Sequence, residues 1–339
     1  MPGSPRRRAL FAVVLTAGFL LVVEAVANLL PTSLIAPREE VIRDLAGSEG
    51  LISSSDIPGW DIDPKGGDRW DTTYTTNRWR MRGPDHPAEK APGVKRVIFV
   101  GDSSIFGVLL DWEETFSARF EAAREARDPG VDWQVANCAC PGHSTEQSKR
   151  KLERHCLAFE PDYVVIGNQF SDSTRETSAD IERFGLSIDT GASRLLERAA
   201  IYRLFRNVWL RNRGADLMPP QEIAQVGLPQ PGKVRRVPVP DYERNLRTMV
   251  DMVRDAGATP VFLMLAAIND LPPNPSPAHS AEYREAMRRV ADDEGIPLAD
   301  APTRYQSLPP AEGMFADHVH PGPLGALTLG LLLDETIPR

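Results

Sequence analysis

Residues 96–107 read RVIFVGDSSIFG, and the fold follows from how this stretch is read. Val97, Ile98, Phe99 and Val100 are β-branched or aromatic, an apolar run of the kind that forms a buried strand. Gly101 ends the run, Asp102 and Ser103 follow in a tight turn, and a helical pattern begins near Thr115. An open α/β sheet gathers its functional groups at the carboxyl ends of its strands. A serine there exposes its hydroxyl, and a following helix turns its positive end toward the same spot. The plainer alternative is a strand–turn–helix in which Asp102 or Ser103 only caps a helix.

Outward from this point the chain alternates. Strand-like segments lie at 133–137, 163–166, 260–265 and, more briefly, 296–299. Helical patterns separate them at 113–126, 145–158, 241–256 and 279–294, and a last one spans 323–333. Strand alternating with helix implies a parallel sheet covered on both faces. The expected architecture is a flavodoxin-like three-layer α/β/α sandwich with a parallel five-stranded sheet. Residues 174–238 interrupt the alternation and are too long for a normal connection, so they read as an insertion. It holds a helical piece at 194–209 and a Pro-rich link at 219–240. Its arginines Arg203, Arg206, Arg211 and Arg213 are candidates either for anionic lipid or substrate, or for a solvated helix face.

A second stretch, FADHVHPGPLGALTLG at 315–330, sets Asp317 and His320 three apart in one loop. A serine hydroxyl is a poor nucleophile until a base takes its proton, and the base needs a carboxylate to orient it. Asp317 and His320 supply both from one segment. His318 and His143 are rivals for the base. His318 falls on the other side of an extended loop, and His143 has no carboxylate in its own segment.

With both stretches in view the chain resembles the SGNH, or GDSL-type, hydrolases over roughly residues 94–335. Gly101-Asp102-Ser103 matches the first block of that family, and Asp317 to Pro321 matches its closing DxxHP. Asn137 to Gly142 is similar to the second block, N-x-G-x-x-G, with Ala139 in place of the first glycine. The third block, G-x-N-D after a strand beginning P-D, is altered: PDYVVIGNQFSDS at 161–173 aligns Gln169 with the glycine and Ser171 with the asparagine. Alternatively Asn168 supplies the amide. The segment TTNRWRMRGPD at 75–85 resembles T-N-x-x-G-F-R-G-P-E, which precedes the hydrolase domain in some membrane-anchored members. The resemblance implies Ser103 as nucleophile, His320 as base and Asp317 as its orienting carboxylate. The oxyanion hole would comprise the N–H groups of Ser103 and Gly142 with a side chain from Asn168 or Ser171.

Ahead of this domain, residues 1–31 read as a membrane anchor or signal segment. Arg6, Arg7 and Arg8 precede an apolar run from Ala9 to Leu30, broken by Thr16, Glu24 and Asn28. About 20 apolar residues match the thickness of a bilayer core, so a transmembrane helix through residues 9–30 is expected. The arginines place its start in the cytoplasm and the rest of the chain outside. Ala25-Val26-Ala27 also has the small-residue form of a cleavage site. Residues 32–93 form a stalk and lead-in, and the hydrolase-like domain occupies 94–339. In the lead-in, Trp60, Trp70, Tyr74 and Trp79 either pack onto the main domain or form a rim facing sugar or lipid. Arg80 and Arg82 could pair with acidic groups of the core or the substrate.

The chain has 339 residues, 42% hydrophobic and 25% charged, an ordinary globular composition able to bury a large core. A net charge of −8 argues against a nucleic-acid partner. Three cysteines, Cys138, Cys140 and Cys156, allow a disulfide outside the cytoplasm, from Cys140 or Cys138 to Cys156, with one thiol left over. A metal would need a fourth ligand, and His155 beside Cys156 is awkwardly placed, so neither metal nor cofactor is expected. The expected function is a membrane-anchored, extracytoplasmic serine esterase acting on O-acyl groups of an envelope glycan or lipid. An acyltransferase with the same triad, or a non-catalytic protein binding acylated glycan, are the alternatives.

Overall fold

The computed structural model describes residues 5–36, 51–53, 57, 60–69, 72–185, 195–196, 198–212, 232–272, 280–309 and 311–338. Trp70, Arg213 and most of the link at 219–240 lie outside them. The sheet is built from β1 (Val94–Val100), β2 (Asp132–Asn137), β3 (Tyr163–Ile166), β4 (Thr259–Met264) and β5 (Leu298–Asp300). All neighbouring pairs are parallel, in the order β2-β1-β3-β4-β5. This is the flavodoxin-like order, whose strand direction of growth reverses between β1 and β3. Ser103 follows β1 directly and so sits at that switch point.

Alternation along the strands decides which helices cover which face. Val97 and Phe99 join one core with Phe116 and Phe120 of the helix Phe116–Arg127 and Leu329 and Leu333 of the helix Pro323–Thr336. Ile98 and Val100 join the other with Leu246 and Val250 of the helix Val239–Asp255 and Met287 and Val290 of the helix Ala281–Glu294. Each large apolar side chain buried this way contributes about 1.5–3 kcal/mol. β1 is central because its residues have no polar face to expose: Val97 to Val100 are all at most 1% exposed.

The helix expected over 145–158 is broken. A regular α-helix runs only Thr145–Lys151, then a π turn spans Leu152–Cys156 and a 3-10 turn Leu157–Phe159. The π turn widens the helix where Cys156 bonds to Cys138 at the end of β2, with 6.3 Å between their Cα atoms. Cys140 is the thiol left over, and it is buried.

The lead-in is part of the domain. Trp60 and Tyr74 lie within the first core, and Trp79 packs edge-on against Phe159. These aromatics are packing residues, not a rim. Arg82 pairs its backbone with Asn137, covering the free edge of β2, and its guanidinium donates to the carbonyls of Phe106, Gly107 and Leu110. Arg80 donates to the carbonyl of Ile62. Both arginines therefore donate to backbone carbonyls.

The insertion is closed at its root by an antiparallel pair, Arg175–Glu176 with Val234–Arg235. Its helical piece is Ala200–Asn212, shifted toward the carboxyl end of the expected 194–209. Arg203 donates to Ile35 O and Arg206 to Ala36 O, so both half-buried arginines turn onto the segment that follows α1.

The amino-terminal helix, α1, runs Pro5–Ala27. Among the described residues no helix is long and apolar enough to cross a membrane, which corrects the expected transmembrane span through residues 9–30. The chain leaves the helix after Ala27 and turns through Thr32–Leu34. The charge-free stretch runs only from Ala9 to Val23, roughly 22 Å at 1.5 Å per residue, against about 30 Å of hydrocarbon. Glu24 ends it, because its carboxylate accepts the N–H groups of Ala200 and Ile201 at 2.6 and 3.1 Å.

Candidate active site

β1 delivers Ser103 through a turn that only glycine permits. A Cβ on Gly101 would lie 2.4 Å from Ile105 Cγ1, and one on Gly167 would lie 2.3 Å from Ile105 Cδ1. The two glycines let a one-turn helix, Ser103–Phe106, fold back against the strand ends. Asp102 caps it: Oδ1 accepts the Ser104 N–H at 3.1 Å, and Oδ2 accepts the Ser171 N–H at 3.3 Å. Burial pushes the Asp102 carboxyl upward from its ordinary pKa. Capping and site-building are thus one arrangement, since the cap fixes where the next residue points.

The loop 313–322 brings the other two groups. It folds on itself through the Ala316 N–H to His320 O bond, and Ser104 Oγ donates to Val319 O at 3.1 Å, tying it to the Ser103 helix. Asp317 Oδ1 accepts the N–H groups of Val319 and His320 at 2.9 and 2.8 Å. Its Oδ2 lies 2.6 Å from His320 Nδ1, and His320 Nε2 lies 2.8 Å from Ser103 Oγ. Burial pushes the Asp317 carboxyl up, but the bonds from His320 and Val319 outweigh it and hold the pKa at about 2. An ionised Asp317 accepts a hydrogen bond from Nδ1–H and so keeps the proton on Nδ1, which leaves the Nε2 lone pair facing the serine.

The rival imidazoles are elsewhere. His318 is exposed, and its carbonyl accepts the Ile268 N–H. His143 is buried, with Nε2 on Trp60 O at 2.8 Å, and burial pushes its pKa down to about 4.

Facing Ser103 is the loop after β2. Asn137 anchors it, donating from Nδ2 to Ile105 O at 2.7 Å and accepting the Ala139 N–H. Gly142 has φ +76°, a left-handed conformation costly for other residues. Among the described residues neither the Ser103 N–H nor the Gly142 N–H has a hydrogen-bond partner. Asn168, one of the two expected side-chain donors, is fully buried and donates from Nδ2 to His143 O at 3.1 Å. Its amide supports the Gly142 loop. Among the described residues the Ser171 hydroxyl has no such commitment, and its own backbone N–H is held on Asp102.

Residues 99–326 match the sequence profile of the GDSL-like lipase/acylhydrolase family. The chain belongs to that family. It is accordingly a serine ester hydrolase. A search of curated protein sequences finds no relative. Among solved structures, a lipase/acylhydrolase from Enterococcus faecalis shares 17% identity over 71% of this chain and 94% of its own, with a TM-score of 0.46. The acetyl xylan esterase AlAXEase shares 12% identity over 72% of this chain and 100% of its own, TM-score 0.48. Axe2, an acetylxylan esterase from Geobacillus stearothermophilus, shares 17% over 72% and 94%, TM-score 0.46.

Two features of this family member lie outside the sequence motifs. The first is Arg236, from the carboxyl end of the insertion. It is fully buried and pairs with Asp180, Nη2 to Oδ2 at 2.7 Å. It also donates to Gly142 O at 2.8 Å and Gln147 Oε1 at 2.9 Å, while Ser144 Oγ donates to Asp180 Oδ2 at 2.7 Å. One ion pair therefore holds residues 142, 144 and 147 together. The second is a buried group of Asp61, Cys140 and His143, whose donor atoms lie within 4.8 Å of one another. Lys151 Nζ stands 2.6 Å from Asp61 Oδ1, so the carboxylate is already neutralised. With three donors and an adjacent ammonium, the group fits an ion pair beside an imidazole better than a cation site.

Asp172, next to Ser171, is also fully buried. Burial pushes its pKa up to about 8, against the lowering effect of Thr145, whose hydroxyl and N–H both donate to Oδ1. A folded-state value above the ordinary carboxylate range means the native protein holds a proton that the unfolded chain has released. Stability should fall as pH rises from about 4 to 8 and level off above. In Asp172→Asn, which mimics the protonated carboxyl, the melting temperature should lose this part of its decline. An unchanged slope across that window in thermal melts overturns the assignment.

Proposed function

We propose that this esterase works at a membrane on its extracytoplasmic side and removes O-acyl groups from an envelope glycan or lipid, with Ser103, His320 and Asp317 as its catalytic residues. The observation that carries the reading is the unbroken path Ser103 Oγ, His320 Nε2, His320 Nδ1, Asp317 Oδ2, with contacts of 2.8 and 2.6 Å. His320 takes the Ser103 proton as Oγ attacks the ester carbon. The negative charge on the carbonyl oxygen falls toward the unpartnered N–H groups of Ser103 and Gly142, with the Ser171 hydroxyl as third donor. His320 then protonates the leaving alcohol, and a water deprotonated by the same ring releases the acid.

Two features support the location. α1 exposes apolar side chains on every face, from Phe11 to Val26, and such a helix is stable in lipid, not water. The disulfide between Cys138 and Cys156 suits an oxidising compartment.

The test is a fluorophosphonate probe applied to whole cells making the full chain, with external protease added afterwards. Labelling that is lost in Ser103→Ala, and lost again on proteolysis, is expected. Absence of labelling overturns the enzyme chemistry, and a labelled band protected from protease overturns the location.

A further inference from the structure

The helix Ala200–Asn212 is inside out for a surface helix in water. Ile201, Phe205 and Val208 recur at the i, i+4, i+7 spacing of one face. Phe205 is 70% exposed and Val208 47%, and Leu195 and Leu196 just before the helix are exposed too. The polar side chains of Arg203, Arg206 and Asn207 point the other way, toward the segment that follows α1. Asn207 is buried and donates to Leu34 O and Ala36 O, each at 3.0 Å, while Arg203 and Arg206 hold the carbonyls of Ile35 and Ala36. A soluble surface helix has the opposite distribution. Nothing in the ester hydrolysis uses this face.

The depth of the helix is set by α1. Glu24, one turn before the end of α1, accepts the N–H groups of Ala200 and Ile201. The insertion helix therefore begins at the level where the charge-free part of α1 ends. Its further hydrogen bonds are to residues 34–36, which follow α1 in the chain, so it stays beside that end. The apolar stripe continues the apolar surface of α1 at the point where a bilayer's interfacial region would lie. A second copy of the chain would cover one stripe, whereas α1 is apolar all round, which only lipid matches.

We propose that the face formed by Leu196, Ile201, Phe205 and Val208 lies on the acyl–headgroup boundary of a lipid bilayer, as a helix parallel to the membrane plane. The inference rests on the membrane attachment proposed above and adds a second contact. Together α1 and this helix fix how the catalytic domain sits on the surface, which one flexible tether cannot do.

The experiment places single nitroxide labels on the full chain in vesicles of zwitterionic and anionic phospholipid. Sites are Phe205→Cys and Val208→Cys, with Leu20→Cys reporting α1 and Asp292→Cys, on an exposed face of the helix Ala281–Glu294, as the aqueous control. The buried Cys140 stays unlabelled, and ester hydrolysis checks folding. At 205 and 208, accessibility to oxygen should rise and accessibility to a water-soluble nickel chelate should fall relative to 292, as at 20. If 205 and 208 match 292 while 20 is in lipid, the interfacial helix is wrong and the attachment stands. If 20 also matches 292, both fail. Spin–spin broadening at 205 that vanishes on dilution with unlabelled protein assigns the face to a second copy and overturns the lipid contact.

Discussion

Replacing Ser103 with alanine lowers kcat/KM for a short-chain aryl acetate by about 10^4- to 10^6-fold, the range seen when a triad serine is removed. The geometry makes this the largest single loss available. Ser103 Oγ is the atom 2.8 Å from the base, and the neighbouring Ser104 is fully buried with its hydroxyl committed to Val319 O, so no second hydroxyl can substitute. His320→Ala should lose a similar factor, because the Ser103 proton then has no acceptor. His318→Ala should lose less than about tenfold, since that ring is exposed and lacks the Asp317 contact. Steady-state rates of the three variants decide the matter. Residual activity in Ser103→Ala near the parent's removes the serine from the chemistry, and a larger loss at 318 than at 320 reassigns the base.

How much of this was legible in the sequence depends on how local each determinant is. β3 was read at its observed ends, Tyr163 to Ile166, because a continuous apolar run buried on both faces needs no tertiary information. Asp317 and His320 could be paired for the same reason: their contact spans three residues. Long-range contacts decided the rest. The apolar run after Arg8 reads on to Leu30, past the end of α1 at Ala27, because nothing local shows that Glu24 bonds to residues 176 and 177 positions away. The regular helix over 145–158 gives way to a π turn where the disulfide draws Cys156 toward β2, a constraint that periodicity does not carry. Asn168 has the right chemistry for an oxyanion donor, yet its rotamer is set by the His143 carbonyl on another loop. The arginines of the insertion helix have the composition of a solvated face, but the free carbonyls of residues 34–36 take them inward.

Arg236 is the residue for which that distance matters most, because it stands 94 positions from the Gly142 carbonyl it holds. Arg236→Met should cost about 3–5 kcal/mol of stability, since it leaves the buried Asp180 carboxylate without its guanidinium partner. It should also lower kcat by about 10^2-fold, the effect of losing one oxyanion donor, because the left-handed turn at Gly142 is no longer fixed from its carbonyl side. KM should change little, as no substrate contact is removed. Arg236→Lys should recover part of the stability and little of kcat: one ammonium can meet Asp180, but it cannot also reach Gly142 O and Gln147 Oε1 as the planar fork does. The double variant Arg236→Met, Asp180→Leu separates the two effects. It removes the stranded charge, so the melting temperature should rise above that of Arg236→Met, while kcat stays low because the carbonyl of Gly142 is still unheld. If kcat returns together with stability, Arg236 serves only to balance a buried charge, and the oxyanion loop is set by Asn137 and Asn168 alone.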